Sequence, residues 1–182
     1  MAKAIGMVEM TTVSSGFAAA DEMAKAADVE IIQAEVTCPG KFVILISGEI
    51  SAVRASVDVA ETKYAEKVID TFVLGNPHES IFPAIYGTVQ PDRLDSLGVL
   101  ETYDVAALIV AADDAAKTAN VELLELRLAK GMCGKSYMTL TGTVSAVTAS
   151  IESAKVKAGD KGMFLDSTVI ARPADALVRH IF

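Results

Sequence analysis

Apolar positions change period several times along the first half of the chain. Ala4 to Met10 alternates and predicts a strand. Gly16 to Ala27, rich in Ala, Met, Glu and Lys, predicts a helix. Val29 to Thr37 and Phe42 to Ser47 are β-branched runs on either side of Cys38-Pro39-Gly40, the pattern of a hairpin. Ile50, Val53, Val57, Ala60 and Tyr64 then recur at helical spacing and mark one face of a second helix. A strand follows at Ile69 to Leu74 and a short helix after Pro77.

The same order returns in the second half. IGMVEMTTVSSGFAAADEMAKAADVEI, from Ile5, aligns with LGVLETYDVAALIVAADDAAKTANVEL, from Leu97. Gly6 matches Gly98, Glu9 matches Glu101 and Ala19-Ala20-Asp21 matches Ala111-Ala112-Asp113. After an insertion the register resumes, with Gly40-Lys41 on Gly134-Lys135 and Ser51-Ala52-Val53 on Ser145-Ala146-Val147. Val144, Val147, Ile151, Ala154 and Ala158 repeat the helical stripe, and VLGNPHESIFPAI ends the first copy as VIARPADALVRHI ends the second. The chain is a tandem duplication. We expect domains at 1–86 and 97–182, joined by a polar, proline-bearing linker at 87–96. The order β-α-β-β-α-β plus a helix predicts an α+β fold close to the ferredoxin-like split unit, an antiparallel sheet with its helices on one face. Units this small bury little surface alone, so the copies are expected to dock.

Composition changes the picture in a few ways. The formal charge is −8 and the pI about 4.7, which excludes the basic footprint of a nucleic-acid partner. No apolar run reaches the roughly 18 residues of a membrane span, and MAKAIGMVEM lacks the parts of a secretory signal. Two cysteines make no disulfide framework, which points to a reducing cytoplasm. Hydrophobic residues reach 52% while aromatics stay at 5%, so much of the apolar content is Ala and Val. Such an excess of small apolar residues suits burial between subunits as well as within one.

The residues GMVE, AADEMAKAADVEI, GKF followed by SGEISAV, and a strand ending in Asn-Pro or Arg-Pro resemble the bacterial microcompartment shell domain, in both copies. The tandem form with Cys38-Pro39-Gly40-Lys41 resembles the T-type shell proteins of propanediol-utilisation organelles. That resemblance implies two tandem shell domains and a homotrimer of pseudo-hexagonal outline, where single-domain members form hexagonal tiles. It implies a place in the microcompartment shell in the cytoplasm, among neighbouring shell proteins. It also implies that Thr37, Pro39, Gly40 and Lys41 of the first copy, with Gly131, Met132, Cys133 and Gly134 of the second, line a central pore. Lys25, Lys117 and Arg172 would lie at the tile edge; the first copy has Asn76 in place of Arg172.

One chain offers too few thiols for an iron–sulfur cluster, which usually takes four thiolates. The resemblance implies that three Cys38 residues, one per subunit, hold a [4Fe–4S] cluster on the trimer axis. Pro39 would stiffen that turn, Gly40 would allow close backbone approach, and Lys41 would offset cluster charge. The bland alternative is that Cys38 is a small hydrophobe lining an open pore for metabolites. Cys133 aligns with Pro39 and departs from the family pattern; it is an incidental pore thiol, a fourth ligand or a second ring of thiols. His78 and His180 share no ligand spacing, and Glu9 and Glu101 read as structural. With no P-loop, zincin or nucleophile-elbow motif, an enzyme reading has no support. Three functions remain: a tile passing electrons or a cluster across the shell to an enclosed redox enzyme, a tile with an open pore, and a regulatory trimer outside any shell.

Overall fold

The computed structural model describes residues 4–91 and 94–181. Residues 92 and 93, inside the expected linker, lie outside the described residues. By internal packing the chain divides into two units, Met1–Pro77 and His78–Phe182.

The first unit holds β1 (Ala4–Met10), α1 (Val13–Ala26), β2 (Val29–Thr37), β3 (Lys41–Gly48), α2 (Ile50–Lys63) and β4 (Val68–Gly75). Its antiparallel sheet runs β2-β3-β1-β4, with β1 in the centre. The even-numbered face of β1 and β3 meets the two helices. Ala4, Val8 and Met10 join Phe42, Ile44 and Ile46 under Ala19 and Met23 of α1 and Val53, Val57 and Ala60 of α2. Helix and strand come close because Gly6 has no side chain. An added Cβ there would sit 2.6 Å from Val53 Cγ1. Buried Ser56 closes the helix crossing by donating its hydroxyl hydrogen to the Met23 carbonyl, 2.9 Å away.

The second unit begins with α3 (Ile81–Tyr86) and continues with β5 (Ser96–Thr102), α4 (Val105–Thr118), β6 (Val121–Arg127), β7 (Ser136–Gly142), α5 (Val144–Gly159), β8 (Phe164–Ala171) and α6 (Asp175–Ile181). Its sheet has the equivalent order β6-β7-β5-β8. The repeat extends to single contacts. Gly98 lies where a Cβ would meet Val147 Cγ1 at 2.8 Å, and Ser150 donates to the Ala115 carbonyl at 2.9 Å.

Three details depart from the sequence pattern. First, β1 is buried at every position, on both faces. In its first half small Ala4 and Gly6 lie beneath the helices and large Ile5 and Met7 on the other side; in its second half Val8 and Met10 face the helices. Second, α1 starts at Val13, ahead of Gly16, because the polar Thr11-Thr12 pair, and not the glycine, ends the preceding loop. Third, α3 follows the first copy in sequence but packs against β6 and α4, within the second unit. Ile81 and Ala84 are its buried anchors.

Candidate functional site: the hairpin turns and the shell surface

The β2–β3 turn is short. Gly40 donates its N–H to the Thr37 carbonyl at 2.8 Å, and the Cys38-Pro39 peptide within it is cis. Gly40 has a φ of +101°, a conformation that glycine takes without a Cβ penalty. Open space surrounds the position its Cβ would fill. Cys38 is a free, half-buried thiol, and the adjacent Thr37 side chain is buried with no hydrogen-bond partner for Oγ1. A buried hydroxyl without a partner is uncommon and costs stability. Lys41 turns back to Glu9, Nζ to Oε1 3.1 Å. Glu9 is buried, so this pair neutralises a carboxylate inside the sheet. The Lys41 charge assigned from sequence to a cluster is thus already committed to Glu9.

The β6–β7 connection is longer, over residues 128–135. Ala129, Gly131, Cys133 and Gly134 all have positive φ, with Cys133 at 54°. Lys135 donates its N–H to the Met132 carbonyl at 3.1 Å, and Ala129 donates to Ser136 Oγ at 3.1 Å. Cys133 is exposed at the surface of this loop. Among the described residues no three His, Cys, Asp or Glu side chains of one chain gather as a metal site.

The remaining sequence candidates are dispersed. Lys25 is exposed and pairs with Asp21 at 2.5 Å, while Lys117 pairs with Asp113 at 2.7 Å. Asp113 also accepts the backbone N–H of His78 at 2.7 Å. The His78 ring bonds Ser80 at 2.8 Å, a local turn contact rather than a ligand set. Arg172 and Asn76 share a left-handed backbone, φ 51° and 52°, directly before their prolines. Arg172 N–H is held by the Asp95 carbonyl at 3.0 Å. Sequence reasoning missed one polar cluster. Glu125 accepts Arg127 Nε and Nη2 at 2.8 and 2.6 Å and the Tyr137 hydroxyl at 2.8 Å. Burial, and then the bond to Glu125, raise the Tyr137 phenol above its ordinary range. The alternation of β6 with its neighbour β7 was the available signal, since Arg127 and Tyr137 are register partners.

No helix among the described residues is long and apolar enough to cross a membrane. The BMC domain family model matches the chain twice, over residues 4–77 and 96–173. The chain is 37% identical over 181 residues to the bacterial microcompartment shell protein PduT of Citrobacter freundii, covering 100% of this chain and 98% of that one. It is 28% identical to the carboxysome assembly protein CcmO of Synechococcus elongatus, covering 97% of this chain and 68% of CcmO. A crystal structure of a microcompartment protein from Desulfitobacterium hafniense superposes with a TM-score of 0.94 at 42% identity, over 98% of this chain and 99% of that one. Duplicated sheets, duplicated helix crossings, the twice-matched domain and a microcompartment shell protein 37% identical over the whole chain lead to one assignment: the chain belongs to the BMC-domain family and is a structural shell protein of a bacterial microcompartment, not an enzyme.

Proposed function

We propose that this chain forms a homotrimeric shell tile in which three Cys38 thiolates hold one [4Fe–4S] cluster on the threefold axis. The observation that carries this reading is the local chemistry of the β2–β3 turn. A free, half-buried thiol stands in a tight turn, two residues from a glycine with open space where its Cβ would be. These residues fit a sulfur-rich anionic group. Cys38 is the thiolate donor, and Gly40 leaves room for close approach. One chain supplies one such thiol, so three copies of the turn must converge. Because Lys41 is paired with Glu9, charge compensation falls to backbone amides of the turn. The cluster would supply one-electron transfer, or be exchanged with an enzyme enclosed by the shell. Pro39 and the Gly40–Thr37 hydrogen bond hold the thiol in place; Cys133, on the longer loop, is not required.

Iron and sulfide counted per trimer, in protein prepared without oxygen, test this directly. We expect one cluster per trimer and absorption near ~400 nm from sulfur-to-iron charge transfer. Cys38→Ser should lose the chromophore and nearly all iron, with trimer mass and circular dichroism unchanged. Cys133→Ser should keep both. A parent protein that still binds no cluster after reconstitution with iron and sulfide would leave an open pore as the function of the axis.

A further inference from the structure

The two copies treat one pair of charges differently. Lys41 and Glu9 of the first copy recur in the second as Lys135 and Glu101. In the first copy they form an ion pair at 3.1 Å. In the second Lys135 is exposed, Glu101 is half-buried, and among the described residues no ion pair joins them. Turn length is the cause. The first turn closes over residues 38–40, so Lys41 enters β3 as the register partner of Thr37. Glu9 is the partner of Val43, two residues further along β3, which puts both side chains on the same side of the sheet. In the second copy Lys135 is still in the loop, and β7 begins one residue later. The pair forms only at the turn whose thiol directly follows the strand.

The pair is an expensive way to stabilise a sheet. Only 6% of the Glu9 side chain is exposed, against 30% for Lys41. A buried ion pair stabilises no better than apolar side chains of the same shape, so its presence is weak evidence for a purely structural role. Its position suggests another. Lys41 is the first cation after Cys38 and stands across the hairpin from Thr37, the residue before the thiol. Two further carboxylates share that side of the sheet. Asp70 of β4 is the register partner of Glu9, and its Oδ1 accepts the Thr71 N–H at 2.9 Å. Glu35 of β2 is the partner of Val43 and accepts Gln33 Nε2 at 3.0 Å.

We infer that Glu9 sets the charge presented by the Cys38 turn: by neutralising Lys41 it withholds a cation from the group held on the axis and keeps the reduction potential of that group low. This regulates the same site and rests on the cluster reading above. Reduction adds one electron from a low-potential donor and no proton, so the reduced form carries one more negative charge. A nearby cation favours that form, and the net charge around a cluster is one of the determinants of its potential. Threefold symmetry repeats the pair three times, so a single substitution changes three charges around one cluster.

Glu9→Gln keeps the shape of the side chain and removes its charge. The midpoint potential is read by anaerobic titration of the reconstituted trimer with dithionite, followed by the fall in visible absorption. We expect Glu9→Gln to shift the midpoint to more positive values, and Glu9→Gln combined with Lys41→Met to return it to that of the parent. Glu9→Asp, which keeps the charge, should stay with the parent. An unchanged midpoint in Glu9→Gln would overturn the inference. So would a shift that persists in the double variant, or loss of the cluster from both variants with trimer mass intact, because the pair would then act through the shape of the turn and not its charge. Each of these outcomes leaves the cluster reading standing. A parent that takes up no cluster on reconstitution would overturn both.

Discussion

At the residue scale the two copies solve one packing problem in opposite ways. Gly16 of α1 lies against Phe42; a Cβ there would come within 2.4 Å of the ring. In the second copy the equivalent pair is Leu108 and Ser136, both buried. Large on the strand and small on the helix has become small on the strand and large on the helix. Gly16→Leu should therefore destabilise the first unit by about 1–3 kcal/mol through overpacking. Gly16→Leu with Phe42→Ser should recover part of that loss. A double-mutant cycle in urea, at fixed protein concentration, should show coupling of about 0.5–3 kcal/mol; additive effects would mean the two side chains do not compete for space. Tyr137 gives a pH prediction. Its folded pKa is raised, so the neutral phenol is favoured in the fold. The stabilisation is complete below the unfolded value near 10 and fades as pH rises through the folded value. Tyr137→Phe should flatten the alkaline side of the melting-temperature profile from roughly pH 9 upward. A variant that loses stability in parallel with the parent would exclude Tyr137 as the cause.

Elements show how much the sequence could disclose. Strands, helices, their order and the duplication were legible because each is written in local periodicity, and the periodicity occurs twice. The destination of α3 was not. Its sequence lies with the first copy, but Ile81 and Ala84 find their apolar partners on β6 and α4. No local pattern states which surface an apolar helix face will meet. The turns were half legible. Cys38-Pro39-Gly40 announced a tight connection, but the Lys41–Glu9 pair joins residues far apart in sequence. Helix starts also diverge between copies. The Asp104 side chain accepts the Ala107 N–H at 2.7 Å and caps α4, whereas Thr12, its counterpart at α1, makes no cap bond. Asp104→Ala should cost about 1 kcal/mol, and Thr12→Ala only a few tenths, in matched thermal or urea melts. Equal losses would show that the cap bond adds nothing.

Assembly is the scale of the whole molecule. Lys25 and Arg172 are exposed and lie outside the residues that build either core. Lys25→Ala combined with Arg172→Ala should leave trimer mass unchanged in size exclusion and reduce the pelleted fraction in a sheet-formation assay several-fold. Removing the Lys25–Asp21 pair itself should matter little, since exposed pairs of this kind contribute about 0.2–1 kcal/mol. Loss of the trimer in this variant would overturn the expectation that both residues lie at the tile edge and would assign them to the subunit contact.

The unequal hairpin turns carry a further consequence, one of stoichiometry. The first turn spans residues 38–40 and places its thiol directly after β2; the second spans 128–135 and has its thiol displaced along a longer loop. A ring built from six identical single-domain chains presents any ligand in sixes. In the trimer proposed above, divergence of one turn after duplication would halve that number. Valence on the axis would then be adjustable by point mutation in one copy of the domain, independently of the surfaces by which tiles fit together.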